Sequence, residues 1–264
     1  MMALAVLPGA SRRGVPDGYR RQRVDGARVI THASAHEWAL QAIRSHGTLH
    51  GWAADQEDVE NFAGRGTVYA IRAQGAGPDG RDRWAVRHYR RGGAMAGFLE
   101  DRYLRIGASR PGRELLASTT ARLRGVSTPA VVAAGIYPSG LYYRCDLVTE
   151  VVPSAKTLAD ALHETDGSRD WLTAMAAAGD LVDALGEAGV FHVDLNAHNI
   201  LFEEGDFRRP WVVDLDRARV RNRPDTDAKE KMKARLTRSI VKVGTPTGES
   251  LGSREVLQAL RGSA

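Results

Sequence analysis

The stretch His192–Phe202, HVDLNAHNILF, sets residue types that can do chemistry at a spacing that lets them act together. Asp194 lies two residues after His192, Asn199 follows five residues later, and an apolar strand, Ile200–Phe202, comes next. That order puts a carboxylate and an amide oxygen on one loop, both able to face a phosphate–metal cluster. Asp214 follows Asn199 by 15 positions and ends a second apolar strand, Trp211–Val213, from which it could reach the same metal. Asp and Asn in loops commonly cap turns and helix ends, and a lone H-x-D carries no more than that. The full pattern H-x-D-x-x-x-x-N, followed by an apolar strand and a second Asp-terminated strand, fits phosphoryl transfer. There a base orients the attacking hydroxyl, and Mg²⁺ held by Asp and Asn neutralises charge on the phosphates. Asp194 takes the role of base, and Asn199 and Asp214 those of metal ligands.

The first half of the chain offers partners for such a loop. Gly64 and Gly66, in GRGTV at the start of a strand, form an abbreviated glycine-rich phosphate loop, a weak signal in a chain with 28 glycines. In WAVR, Arg87 occupies the position where protein kinases carry the strand lysine of V-A-I-K. Glu114, on the next helical stretch, is its natural carboxylate partner. Of the 37 Lys and Arg only five are lysine, and none precedes Lys156, so chemistry that strictly needs an ammonium in the first half is excluded. An arginine can hold phosphates and pair with a carboxylate, as a planar fork instead of a point charge.

Elements must position these groups. The 264 residues suit one large or two small domains, and 43% hydrophobic with 26% charged is ordinary for a globular chain. Ser34–His46 has a helical pattern inside an otherwise weakly periodic first 50 residues. Thr67–Ala73 and Arg83–His88 read as strands, joined across a Pro-Asp-Gly turn into an antiparallel hairpin. Arg113–Arg124 reads as a helix with Leu115, Leu116, Thr119 and Leu123 on one face. Val131–Ile136 and Leu141–Glu150 form another strand pair. Lys156–His163 reads as a short helix. Asp170–Ala188 reads as a longer one, with Trp171, Leu172, Met175, Ala178, Val182 and Leu185 on its apolar face and Gly189 as its C-cap. Two further helices, about 225–243 and 253–260, finish the chain. Strands first and helices second imply an α+β fold with two lobes: 1–150 as an N-terminal extension and nucleotide-binding lobe, and 151–264 as a helical lobe with the catalytic loop.

Composition also narrows the setting. One cysteine, Cys145, excludes an intramolecular disulfide framework and a multi-cysteine zinc site. The N-terminal apolar run has no basic residues before it, so it lacks the order of a secretory signal. The uncharged stretch 126–143 contains Pro129, Gly135, Pro138 and Gly140, which would break a spanning helix. The cytoplasm is the expected compartment.

Several segments carry a family resemblance. RHYRRGG (87–93), DRYL (101–104), RPGRELL (110–116), LYYRCDLVTE (141–150), HVDLNAHNILF, VVDLDRAR (212–219) and RLTRS (235–239) together resemble the bacterial 3-deoxy-D-manno-octulosonic acid (Kdo) kinases. These belong to the lipopolysaccharide kinase group of the protein-kinase-like superfamily. The resemblance covers roughly residues 64–240. It implies a bilobal protein-kinase-like fold and transfer of the ATP γ-phosphate to the 4-hydroxyl of a Kdo sugar on a lipid A precursor. It also implies Mg²⁺ as cofactor and a place on the inner face of the bacterial inner membrane. By position, Asp194 is the catalytic aspartate, Asn199 and Asp214 bind Mg²⁺, and Arg87 stands where the strand lysine stood. The Asp-Phe-Gly of protein kinases is here Asp214-Leu215-Asp216, so Asp216 adds a carboxylate that either touches metal or pairs with Arg217.

Arginines follow both motifs: Arg90 and Arg91 after Arg87, and Arg217 and Arg219 after Asp216. From Arg217 to Lys242 there are ten basic and three acidic residues in a chain whose net charge is only +5. This run suits lipid A phosphates and an anionic membrane surface as partners. Nucleic acid is disfavoured because no base-stacking aromatics accompany the charges. No obligate protein partner is evident. The competing readings keep the fold but change the acceptor, to heptose, an aminoglycoside-like sugar or a protein hydroxyl, or make the chain a non-catalytic scaffold.

Overall fold

Strand Arg83–His88 alternates with period two: Trp84 and Val86 are buried in one cluster, and Arg87 points to the opposite side of the sheet. The same rule repeats across its neighbours and builds a sheet covered on both faces. The computed structural model describes residues 15–62, 67–90, 101–165, 169–244 and 252–262. The chain divides into two compact units, one of residues up to Leu116 with Ala130–Val151, the other of Ala117–Pro129 with Val152 onward. Residues 117–129 thus group with the second unit although they precede residue 150.

In the first unit the strands are β1 (Tyr19–Val24), β2 (Ala27–His32), β3 (Glu60–Phe62), β4 (Val68–Arg72), β5 (Arg83–His88), β6 (Tyr103–Leu104), β7 (Val131–Ser139) and β8 (Tyr142–Glu150). They pair antiparallel in the order β1-β2-β7-β8-β5-β4-β3, with β6 on β8. Both expected hairpins are present. The β1–β2 hairpin was not legible in the weakly periodic first 50 residues, because β1 is an edge strand whose residues 20–23 are all exposed and polar or charged. The signal that was there is Asp25-Gly26, whose φ angles of 45° and 80° are those a two-residue hairpin turn demands.

One face of this sheet packs against α1 (His36–His46) and α2 (Leu49–Ala54), where Trp38 meets Trp52 and Trp84 edge-on at 5.4 and 5.1 Å. The other face gathers Ile30, Ile136, Cys145 and Leu147 with Leu115 of α3 (Arg110–Leu123). Cys145 is fully buried, and burial first, then the neighbouring Asp146, pushes its thiol far up. The expected leucine face of α3 is corrected: Leu115 is buried, but Leu116 and Leu123 are 36% and 66% exposed. Glu114 and the small residues Ala117, Ser118 and Ala121 are buried instead, because the helix lies close to its neighbours and turns Glu114 toward Arg87.

The second unit contains β9 (Lys156–Thr157), α4 (Leu158–Glu164), α5 (Arg169–Glu187), β10 (Val190–Phe191), β11 (Ile200–Phe202), β12 (Pro210–Val212), β13 (Arg219–Val220), α6 (Thr226–Val243) and α7 (Ser253–Ala259). Its small sheets run β12-β11-β9 and β10-β13. The helix expected from Lys156 starts at Leu158, since Thr157 and Asp160 form a capping box and Lys156–Thr157 pair with β11. Helix α5 buries Trp171, Met175, Ala178, Val182 and Leu185, leaves Leu172 42% exposed, and is followed by Gly189 with φ 64°. Gly179 admits α7: a Cβ there would overlap the Leu260 carbonyl oxygen, so the absent side chain is what lets the backbones meet. Lys233, 8% exposed, donates to Asp183 at 2.7 Å and ties α6 to α5.

His88 sits on the Trp84 face of β5. Its Nδ1 is 2.6 Å from Asp146 Oδ1 and its Nε2 3.1 Å from Asp101 Oδ2. Asp146 is fully buried and also accepts from the Tyr137 hydroxyl and the His50 amide. Burial works to lower the His88 pKa, yet the two carboxylates outweigh it and raise it. A raised folded-state value means the stabilisation is full below the unfolded value of about 6.5 and is lost as pH climbs through the folded one. His88→Gln should therefore destabilise the protein most below about pH 6.5 and progressively less at higher pH, measured by urea denaturation across a pH series. A difference that does not shrink with rising pH would contradict the charged imidazole.

Candidate active site

The loop after β10 is built around backbone ties. His192 is 2% exposed, and burial first holds its imidazole pKa down, so the ring is neutral and donates from Nε2 to the Val213 carbonyl at 3.1 Å. The Val213 amide donates to the Asn199 carbonyl at 2.9 Å. One peptide segment is thus gripped from the start of the His192–Asn199 loop and from its end. The register Ile200↔Val212 then places Asn199 and Asp214 at adjacent strand ends. Asp214 adopts φ 63° and ψ 53°, a left-handed conformation that Asp tolerates better than most residues, and it turns the chain sharply out of β12. Its side chain is exposed, whereas Asp216 is 8% exposed.

Asn196 organises the short turn Ala197–Asn199. Its Oδ1 accepts from the His198 amide at 2.9 Å, and its Nδ2 donates to the Asp194 carbonyl at 2.9 Å and to the Asn199 Oδ1. The Ala197 amide donates to Ser239 Oγ of α6 at 3.1 Å. Asp194 itself meets two guanidinium groups. Arg217 Nη1 donates to Oδ2 at 2.5 Å, and Arg235 Nη2, from α6, to Oδ1 at 3.1 Å. The Asp216–Arg217 pairing left open by the sequence is not the one Arg217 makes. Sequence reasoning also missed Asn196, Ser239 and Arg235 as parts of the loop; only the segment RLTRS, which contains Arg235 and Ser239, had drawn notice.

In the first unit, Arg87 Nη2 donates to both Glu114 oxygens at 2.8 and 2.7 Å, and its guanidinium stacks 4.8 Å above the Tyr89 ring. The Tyr89 hydroxyl also donates to Glu114. Burial, then the Glu114 charge, raises the Tyr89 pKa well above its ordinary value, so it stays a donor. Glu114, 5% exposed, is therefore shared by a cation and a phenol, and Arg87 is held with a fixed orientation. Arg90 and Arg219 are exposed. Gly64, Gly66 and Arg91 lie outside the described residues.

The lipopolysaccharide kinase (Kdo/WaaP) family matches residues 50–258. The chain belongs to this lipopolysaccharide kinase family. Among relatives, the 3-deoxy-D-manno-octulosonic acid kinase of Xanthomonas oryzae pv. oryzae (strain PXO99A) is 34% identical over 242 residues, 88% of each chain. That of Vibrio parahaemolyticus serotype O3:K6 is 32% identical over 193 residues, 72% of this chain and 76% of its own. A solved structure, WaaP in complex with acyl carrier protein, superposes with a TM-score of 0.50 at 23% identity, covering 80% of this chain and 79% of the other. The fold is α+β and protein-kinase-like, as the motif order implied. This family member is a phosphotransferase.

Asn196→Ala removes the amide that holds both the Asp194 carbonyl and the Asn199 side chain. It should lower stability by about 1–2 kcal/mol, read as a fall in denaturation midpoint with unchanged helix content. An unchanged midpoint would show that the loop does not rely on this amide.

Proposed function

We propose that the chain transfers the γ-phosphate of ATP to the 4-hydroxyl of a Kdo sugar on a lipid A precursor, in lipopolysaccharide core biosynthesis. The observation that carries the reading is the Asp194 loop: a half-buried carboxylate, fixed by two guanidinium groups, on the same turn as Asn199 and next to the strand end that carries Asp214. The relatives' name supports Kdo as the acceptor.

Asp194 orients the sugar hydroxyl and receives its proton as the new oxygen–phosphorus bond forms. The bond between the γ-phosphorus and its bridging oxygen breaks, and ADP leaves with that electron pair. No phospho-enzyme is needed. Because such transition states are loose, positioning matters more than the strength of the base. Asn199 and Asp214 would hold Mg²⁺. Both are hard oxygen donors, and Mg²⁺ ordinarily keeps waters and phosphate oxygens beside one or two protein carboxylates. When bound, Mg²⁺ would supply charge neutralisation on the phosphates. In the first unit Arg87, braced by Glu114, would engage the nucleotide phosphates, with Gly64 and Gly66 as the backbone cradle.

Purified protein given ATP, Mg²⁺ and Kdo-lipid A precursor should add one phosphate, located on the Kdo 4-hydroxyl by fragmentation mass spectrometry. Asp194→Asn should lower kcat by about 10²–10⁴-fold with the fold intact. Transfer to heptose, an aminoglycoside or protein, and none to Kdo-lipid A, would overturn the acceptor.

We also propose peripheral binding to an anionic membrane surface. No helix among the described residues is long and apolar enough to cross a membrane. The basic run that suggested a lipid seat is largely neutralised. Arg217 and Arg235 hold Asp194, Lys229 and Lys233 hold Asp183, Lys231 holds Asp227, and Arg221 holds Asp225. Exposed Arg219, Arg223, Arg238 and Lys242, which make no ion pair among the described residues, remain for lipid. Co-flotation with vesicles containing anionic lipid should exceed that with neutral vesicles and fall on raising the salt. Equal flotation with both would remove the proposal.

A further inference from the structure

Asp194 carries one negative charge and meets two guanidinium groups, which is more cation than a carboxylate needs to be held in place. Arg217 comes from the turn that follows Asp214, and Arg235 from helix α6, so two unrelated elements deliver their charge to the same point. Bringing like charges together is unfavourable unless anions offset both. Each guanidinium has five N–H donors, and each has a single hydrogen-bonded contact, to Asp194, among the described residues. The side chains of Arg217 and Arg235 are 55% and 47% exposed, so their remaining donors face solvent. The arrangement is two solvent-exposed guanidinium groups converging on one anion.

We infer that Arg235, with Arg217, forms a carboxylate-binding site that reads the acid group of the acceptor sugar while it holds Asp194. The inference rests on the acceptor proposed above. An octulosonic acid carries its carboxylate on the same sugar as the hydroxyl to be phosphorylated. Any side chain that reads that carboxylate must therefore lie within a sugar's width of the catalytic carboxylate. Arg217 and Arg235 touch Asp194 and meet this condition. Guanidinium is also the side chain whose planar fork matches a carboxylate with paired hydrogen bonds. The two arginines then have a double task. They fix the base, and they favour a sugar acid over a neutral sugar such as a heptose, which offers them no anion. Desolvating two cations for a neutral acceptor would leave one unmatched, and that is a device for rejection as well as for binding.

The experiment is a chemical double-mutant cycle on the full chain. Kdo-lipid A precursor and its carboxamide, which is neutral and nearly isosteric with the acid, are each phosphorylated with Mg-ATP by wild type, Arg235→Gln and Arg235→Lys. Wild type should prefer the acid by about 10- to 100-fold in kcat/KM. Arg235→Gln should slow both acceptors by what Arg235 contributes to holding Asp194, slow the acid further, and so reduce the preference to within about threefold, while Arg235→Lys should retain an intermediate preference. Should Arg235→Gln slow both acceptors by the same factor and leave the ratio intact, Arg235 only positions Asp194 and the inference falls. It falls equally should wild type treat acid and carboxamide alike. Wild type that phosphorylates neither would instead overturn the acceptor reading itself, a result distinct from the other two. Denaturation midpoints of the variants, expected close to that of wild type for a half-exposed pair, exclude misfolding as the cause.

Discussion

The Asp194 loop depends on how the peptide segment around Val213 is gripped. Its amide is taken by the Asn199 carbonyl and its carbonyl by a neutral, buried imidazole, that of His192. Everything chemical in the second unit hangs from this clasp. Asn199 lies at one side of it, Asp214 directly after it, and Asp194 two residues beyond the imidazole. The Val213 carbonyl fixes which ring nitrogen of His192 carries the proton and burial keeps the ring neutral, so it works as a fixed strut. The left-handed turn at Asp214 is tolerable for the same reason: the segment just before it cannot relax away.

A second theme is that arginine stands in for lysine throughout. With no lysine before residue 156, the cation proposed to meet phosphates in the first unit, Arg87, is a planar fork, and its carboxylate partner is buried and shared with the Tyr89 hydroxyl. A flexible ammonium can swing to a phosphate and back. A fork stacked on a tyrosine ring is set in orientation before any ligand arrives, so less freedom is lost on binding. The same economy operates at Asp194, where two forks converge on one carboxylate.

How much of this was legible in the sequence follows from the range of each interaction. The loop motif and the order of strands and helices are local patterns, and hairpins β4–β5 and β7–β8 and helices α5 and α6 appear close to where periodicity put them. The pairing of Arg87 with Glu114 was also legible, because residue type and order already limited the partners. What was not legible depends on contacts across many residues. Arg235 reaches Asp194 from 41 positions away, and no periodicity points to that meeting. The basic run misled for the same cause, since its charge was counted without Asp183 and Asp194, which lie outside the run and absorb four of its cations. The wrong face chosen for α3 shows the limit of apolar counting. A buried acid and a row of small side chains can take the inner face from exposed leucines.

Cys145 is the chain's one thiol, and it lies opposite Ile136 in the middle of the β7–β8 pairing, fully buried and far from its reactive thiolate form. A reagent that modifies thiols must therefore wait until these two strands part. Labelling becomes a clock for the parting of these two strands, read at the chain's own thiol.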